Sequence, residues 1–230
     1  FSRALREDGR ARQDPETMAL AFWCRRAHIL SLREKHGMGR TDLETGRETS
    51  RHGDSPMSEI PTEATAGTEE LRLGRGRIFH LAPANVPMMF AYTWIMGLLA
   101  GNAGIVRISD RTLKREAVRV VLDVLNRLFT REEFQGIRQR TSMIAYDRSD
   151  AVTEKILQSC DGRVLWGGDE TIRQMRRIPM PAHAVELTFS DRVSLAVISE
   201  EALSGMEEEQ IRNLAHRFYN DTYLMDQNGC

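Results

Sequence analysis

Ile78-Phe79-His80-Leu81-Ala82-Pro83-Ala84-Asn85-Val86-Pro87, an apolar run, and then Gly101-Asn102-Ala103-Gly104-Ile105-Val106-Arg107-Ile108-Ser109-Asp110 is the stretch that decides the fold. It reads as a short strand over 78–81 and a turn, punctuated by Pro83 and Pro87, that presents Asn85. A helix over 88–100 and a β-branched strand over 105–108 follow. Pro87 falls where the first turn of a helix has no use for an N–H. Gly101 and Gly104 bracket the helix end. The unit is βαβ, and it holds an amide side chain at the carboxyl end of its first strand. In open α/β sheets that edge is where ligands bind.

Downstream, residues 112–129 repeat Leu113, Ala117, Val120, Val121, Val124, Leu125 and Leu128 at helical spacing. Strands are expected over 142–146, 163–166, 185–189 and 194–198. Helices are expected over 150–159, 169–177 and 207–219. The second opens with two acids that suit its dipole, and the third buries Ile211, Leu214, Ala215 and Phe218. This alternation predicts an α/β fold with a doubly wound, largely parallel sheet.

Upstream, residues 1–13 are polar and expected to fray. Asp14 is a cap and Pro15 a first helical residue, and the helix they open runs to about His36, where Gly37 and Gly39 end it. Residues 38–70 read as a linker or surface loop, with a short strand near 71–73. The expected division is an N-terminal helical segment and linker over 1–70, then an α/β domain over 71–230. Gly74-Arg75-Gly76 resembles the start of a dinucleotide fingerprint, but Phe79 stands where the third glycine belongs and a strand follows where a helix should. It is rejected as a phosphate loop.

The 230 residues are 41% hydrophobic and 28% charged with a net charge of −1, ordinary for a globular protein and no argument for nucleic acid. The longest apolar stretch, 86–100, is interrupted by Pro87 and falls short of the ~18–20 residues that span a bilayer. Three separated cysteines make neither a disulfide framework nor a zinc knuckle. No histidine has metal-ligand spacing, so no metal is expected. A cytoplasmic location is the default. The chain starts at Phe1 and stops at Cys230, and it reads as a fragment of a longer protein.

Pro83-Ala84-Asn85-Val86-Pro87, the helix, Ala-Gly-Asn and Val106-Arg107-Ile108-Ser109-Asp110 together resemble the aldehyde dehydrogenase superfamily, in which a Pro-x-Asn-x-Pro turn leads to a strand ending in Lys-Pro-Ser-Glu. Three later stretches fall in that family's order: Leu165-Trp166-Gly167-Gly168-Asp169-Glu170, Val185-Glu186-Leu187 and Asp226-Gln227-Asn228-Gly229-Cys230. The last, with Ala-Phe-Trp near the N-terminus, is most similar to the acyl-CoA reductase branch typified by LuxC, whose enzymes supply long-chain aldehyde to bacterial luciferase. The resemblance covers about residues 15–230.

The resemblance implies reduction of a fatty acyl thioester to fatty aldehyde through an acyl-cysteine. Cys230 would be the nucleophile, since a thiolate forms a thioester readily. Asn85 would donate to the oxyanion, although an Asn can also stabilise a Pro-rich turn through its own backbone. Glu186 would stand where the family's general base stands, but Thr188 and Phe189 replace the glycine pair that follows it there.

Pro83, Arg107, Ser109, Asp110, Gly167 and Gly168 would hold the cofactor. Arg107 suits a 2′-phosphate and Asp110 repels one; the acyl reductase branch implies NADPH, with NADH the alternative. Cys24, on an apolar helix side, reads as core filler. The implied partners are the acyl substrate, an acyl-transferring protein and, at full length, copies of the chain itself. The catalytic domain would mostly follow Cys230, so a chain ending there is expected not to turn over. The competing readings are a related aldehyde dehydrogenase, an acyl-phosphate reductase of the glutamyl-phosphate type and a non-catalytic nucleotide-binding module.

Overall fold

A computed structural model describes residues 1–37, 73–146, 150–192 and 195–223. The N-terminal third begins with α1 (Ser2–Glu7) and a 3-10 turn (Ala11–Gln13), followed by α2 (Pro15–Trp23) and α3 (Arg26–His36). Asp14 caps α2 as its sequence suggests, its carboxylate accepting from Thr17 N, with Pro15 in the first turn. The expected single helix is broken at Arg25, whose backbone is extended, and α3 ends at Gly37 in the left-handed region. Residues 1–13, expected to fray, are docked. Leu5 and Ala11 are fully buried among the valines of the long helix described below, and Asp8 pairs with Arg127 of that helix at 2.6 Å. Phe1, Leu5 and two alanines among thirteen mostly polar residues are too weak a periodic signal to announce this.

The sheet is assembled from β1 (Arg77–Leu81), α4 (Met89–Leu99), β2 (Ala103–Arg107), α5 (Asp110–Leu113), α6 (Glu116–Phe129), α7 (Gln135–Arg138), β3 (Thr141–Ile144), α8 (Asp150–Leu157), β4 (Gly162–Trp166), α9 (Asp169–Arg176) and β5 (Val185–Phe189). All five strands are parallel, in the order β3-β2-β1-β4-β5. Residues of β1 alternate between two cores, as period-2 geometry requires. Phe79 and Leu81 pack with Leu157, Leu165 and Ile172 beneath α8 and α9. On the opposite face, Val106 and Ile108 pack with Phe90, Ala91 and Trp94 of α4 and the valines of α6. Covering both faces is what lets a parallel sheet carry near-continuous apolar strands.

Gly74 and Gly76 serve packing at the amino end of the sheet. A Cβ at Gly74 would lie 2.3 Å from the Gly101 carbonyl oxygen, and Gly76 has φ +126° with the Asp161 carboxylate where a side chain would go. The backbone amides of Arg75 and Gly76 donate to Asn102 Oδ1.

Two other expectations fail. Leu195–Ile198 is not a strand, and Leu195 is 86% exposed. After α10 (Glu200–Ser204), α11 (Glu208–Thr222) buries none of its residues, so Ile211 and Phe218 are exposed. Its apolar spacing and its capping box make the helix without a surface among the described residues to bury it against. The expected strand near 71–73 and the end of the chain, with Cys230, lie outside or at the margin of the described residues.

Candidate active site

Strand order reverses between β1 and β4: the chain winds from β1 through β2 to β3, then crosses to β4 and β5 on the other side. The crevice outside the carboxyl ends of β1 and β4 is therefore the place where such a sheet opens for a ligand. Three turns border it: the one after β1 with Pro83 and Asn85, the one after β2 with Ser109 and Asp110, and the one after β4 with Gly167 and Gly168. Adjacent strands lie about 5 Å apart, so these turns are neighbours.

Asn85 is exposed in the first turn. Arg107 is the last residue of β2; its Nη2 donates to the Tyr146 carbonyl at 3.1 Å and its guanidinium lies over the Tyr146 ring at 4.8 Å. That stacking holds a cation at the edge in a fixed orientation. Ser109 caps α5, its hydroxyl accepting from Thr112 N at 3.1 Å, and Asp110 is exposed in the first turn of the helix.

Gly168 is the N-cap of α9. The backbone amide of Asp169 donates to the Asp191 carboxylate at 3.2 Å, and a Cβ at Gly168 would lie 3.0 Å from the same oxygen. The turn therefore already accommodates an anionic oxygen, held by a backbone amide at the positive end of a helix dipole. That is the chemistry a pyrophosphate needs, and the residues present fit a dinucleotide. Asp191 carried no sequence signal, since it is 22 residues beyond the amide it caps.

Glu186 is not brought to this edge. It sits three residues before the end of β5, about 10 Å back along the strand. Its carboxylate is clasped on both sides: Arg163 donates through Nε and Nη2 to one oxygen, each at 2.7 Å, and Arg176 Nε donates to the other at 2.7 Å. Burial alone would push the Glu186 carboxyl up, but the Arg176 and Arg163 hydrogen bonds outweigh it and hold it below the usual range. The same Arg163 also ties down the Met175 and Ile178 carbonyls at the end of α9.

Cys24 packs against the α4–α6 core, and burial pushes its thiol up to about 12, the chemistry of an inert filler. Among the described residues no group of three or more His, Cys, Asp or Glu side chains could hold a metal ion, and no helix is long and apolar enough to cross a membrane. Trp166, the last residue of β4, lies in the Leu165–Glu170 stretch but is not among the site residues expected from the sequence. In the structure it stands at the crevice, its ring stacked on that of Phe189 at 3.8 Å and within 6° of parallel.

The family model of acyl-CoA reductases (LuxC) matches residues 60–230. No curated protein matches. Among solved structures, the chain is similar to a mutant of proline utilization A from Bradyrhizobium japonicum, 18% identical over 51% of this chain and 12% of that one, with a TM-score of 0.40. It is also similar to the substrate-bound state of AldH from Staphylococcus aureus, 17% identical over 50% of this chain and 23% of that one, TM-score 0.39. A third is PnpE from Pseudomonas sp. WBC-3, 16% identical over 51% and 23%, TM-score 0.37. The chain spans less than a quarter of the length of each of these proteins.

Proposed function

Since the chain belongs to the acyl-CoA reductase (LuxC) family, we propose that it carries the nucleotide-binding part of an enzyme reducing a long-chain fatty acyl thioester to fatty aldehyde. The observation that supports this most directly is the convergence of Asn85, Arg107 and the Gly167–Gly168 turn on one edge of the sheet, around the reversal of strand order.

In this reading the Cys230 thiolate attacks the acyl carbonyl, the thiol of CoA leaves with a proton, and a thioester to Cys230 remains. The Asn85 side-chain amide donates to the oxyanion formed in that attack, a donor whose loss typically costs ~10²–10³ in rate. The amides of the Gly167–Gly168 turn hold the pyrophosphate, displacing the Asp191 carboxylate. Arg107 would grip a 2′-phosphate and Asp110 would repel one, and the preference for NADPH over NADH follows from the resemblance to the acyl reductase branch. When bound, the reduced nicotinamide supplies the hydride that takes the acyl group to the aldehyde level. Glu186 is given no proton-transfer step: release of aldehyde needs no water to be activated, and both its oxygens are engaged by guanidiniums.

The test is acyl transfer to the whole enzyme of which this chain is the proposed nucleotide-binding part. Incubation with a long-chain acyl-CoA should leave one acyl group per chain on Cys230, found by peptide mass spectrometry, absent in Cys230→Ser and discharged as aldehyde on adding NADPH. Acylation from an acyl phosphate but not from acyl-CoA, or an unmodified Cys230 with both donors, would overturn the reading.

A further inference from the structure

Three choices in the middle of the sheet are costly taken singly. His80 of β1 is 1% exposed, and its Nε2 is buried with no hydrogen-bond partner. An orphaned buried polar atom is a net loss against an apolar residue of similar size. Gly97 lies inside α4, where glycine weakens a helix, and Gly104 lies in β2, where it weakens a strand. The structure explains the first two together. A Cβ at Gly97 would lie 3.1 Å from His80 Cε1 and Nε2, so this glycine makes room for the imidazole. A Cβ at Gly104 would lie 3.4 Å from Trp94 Cδ1 and 3.6 Å from His80 Nε2, in ordinary contact with both.

What the imidazole does there is hold Thr93. His80 Nδ1 lies 2.9 Å from Thr93 Oγ1, and the same hydroxyl oxygen accepts from Trp166 Nε1 at 3.4 Å. Burial lowers the His80 pKa to about 4, so the ring is neutral near pH 7. With the Thr93 hydroxyl donating to Nδ1, the tautomer carries its proton on Nε2. The chain His80–Thr93–Trp166 then runs without conflict from the sheet core to the carboxyl edge. It ends on an indole that is half-buried, lies flat against Phe189 and directly precedes the Gly167–Gly168 turn.

We propose that Trp166 is a binding residue for the nucleotide, its indole forming the flat wall on which the nicotinamide ring stacks, and that Thr93 and His80 are positioning residues that fix the plane of that wall. The proposal rests on the nucleotide-binding reading above and adds to it a contact supplied by this chain's own residues. A planar ring gains most from an aromatic surface already held in place, because no side-chain freedom is lost on binding. A hydrogen bond to one end of the indole and a stacked neighbour on one face remove that freedom beforehand.

The test uses the purified chain and three variants, Trp166→Phe, Trp166→Leu and Thr93→Val, with circular dichroism as the folding control. Reduced and oxidised nicotinamide dinucleotides are titrated by calorimetry. Indole fluorescence is followed in parallel, and the oxidised form is scanned for the long-wavelength absorbance that a stacked indole–nicotinamide pair produces. The wild-type chain should show quenching and the new band. Trp166→Phe should lose the band and most of the quenching while binding within a few-fold of wild type. Trp166→Leu should bind about tenfold more weakly. Thr93→Val, which leaves the indole in place, should weaken the band. Wild-type binding with no band, or equal affinity in Trp166→Leu, would overturn the proposal and leave the nucleotide-binding reading standing. No binding by the folded wild-type chain would overturn both.

Discussion

Arg163 and Glu186 lie directly opposite each other across the β4–β5 ladder and share a two-pronged ion pair at 2.7 Å, with the guanidinium 8% exposed and the carboxylate 22% exposed. The pair fastens the last strand of the sheet to the end of α9, because the same guanidinium also caps the Met175 and Ile178 carbonyls. Removing one partner strands the other. Glu186→Ala should lower the stability of the chain by about 3 kcal/mol, read from urea unfolding midpoints. Arg163→Met should cost a similar amount, because it leaves two carbonyls unpaired. A Glu186→Gln enzyme with unchanged midpoint and abolished turnover would instead assign that carboxylate to the chemistry.

Acid should destabilise the fold through His80. In the folded chain burial holds His80 to about 4, against an ordinary value of 6.5. As pH falls the unfolded chain takes up the proton first. The contribution of His80 to stability is therefore complete above about pH 6.5, declines as acid is added and is exhausted near pH 4. The whole difference is about 3 kcal/mol. Denaturant unfolding of wild type and His80→Gln across this window should give a visibly shallower pH slope for the variant; parallel slopes would refute the assignment.

Asp191 stands where the proposed pyrophosphate goes, its oxygen 3.2 Å from the Asp169 amide. Asp191→Asn keeps the shape and removes the competing charge. Nucleotide affinity should rise about threefold, in line with the worth of one charge at a helix N-terminus. A fall in affinity would mean that the carboxylate helps to build the site.

In the proposed reading Arg107 and Asp110 would pull cofactor choice in opposite directions. Arg107→Ala should weaken NADPH by about tenfold while leaving NADH nearly unchanged, and Asp110→Asn should strengthen NADPH. Comparing the two nucleotides in each variant by fluorescence titration checks this, and equal losses for both nucleotides would remove Arg107 from 2′-phosphate recognition.

The βαβ unit around Asn85 was legible because its signals are local. β-branched runs, the Pro83–Pro87 turn and the glycines after the helix act within a few residues of where they are written. The Asp14–Pro15 helix start was legible for the same reason, and so was the rejection of Gly74-Arg75-Gly76. Of the candidate site, the turns were legible: the motifs placed Asn85, Arg107 and Gly167–Gly168 after successive strands, and the parallel sheet brings those turns to one edge. Glu186 shows the limit, since its motif did not reveal the two arginines that hold it, 23 residues before it and 10 residues before it.

By itself, then, the sequence determined the alternation of strands and helices, the caps that start and stop them, and the turn types that could meet a ligand. These are consequences of backbone geometry and side-chain period, and they need no distant partner. The tertiary structure alone decided the strand order, the docking of Leu5 and Ala11 on α6, the exposure of α11, and the pairings Glu186–Arg163, Asp191–Asp169 and His80–Thr93–Trp166. Each of those joins residues at least 13 positions apart or depends on which surface is left to pack against, and no local pattern encodes which distant group will be there.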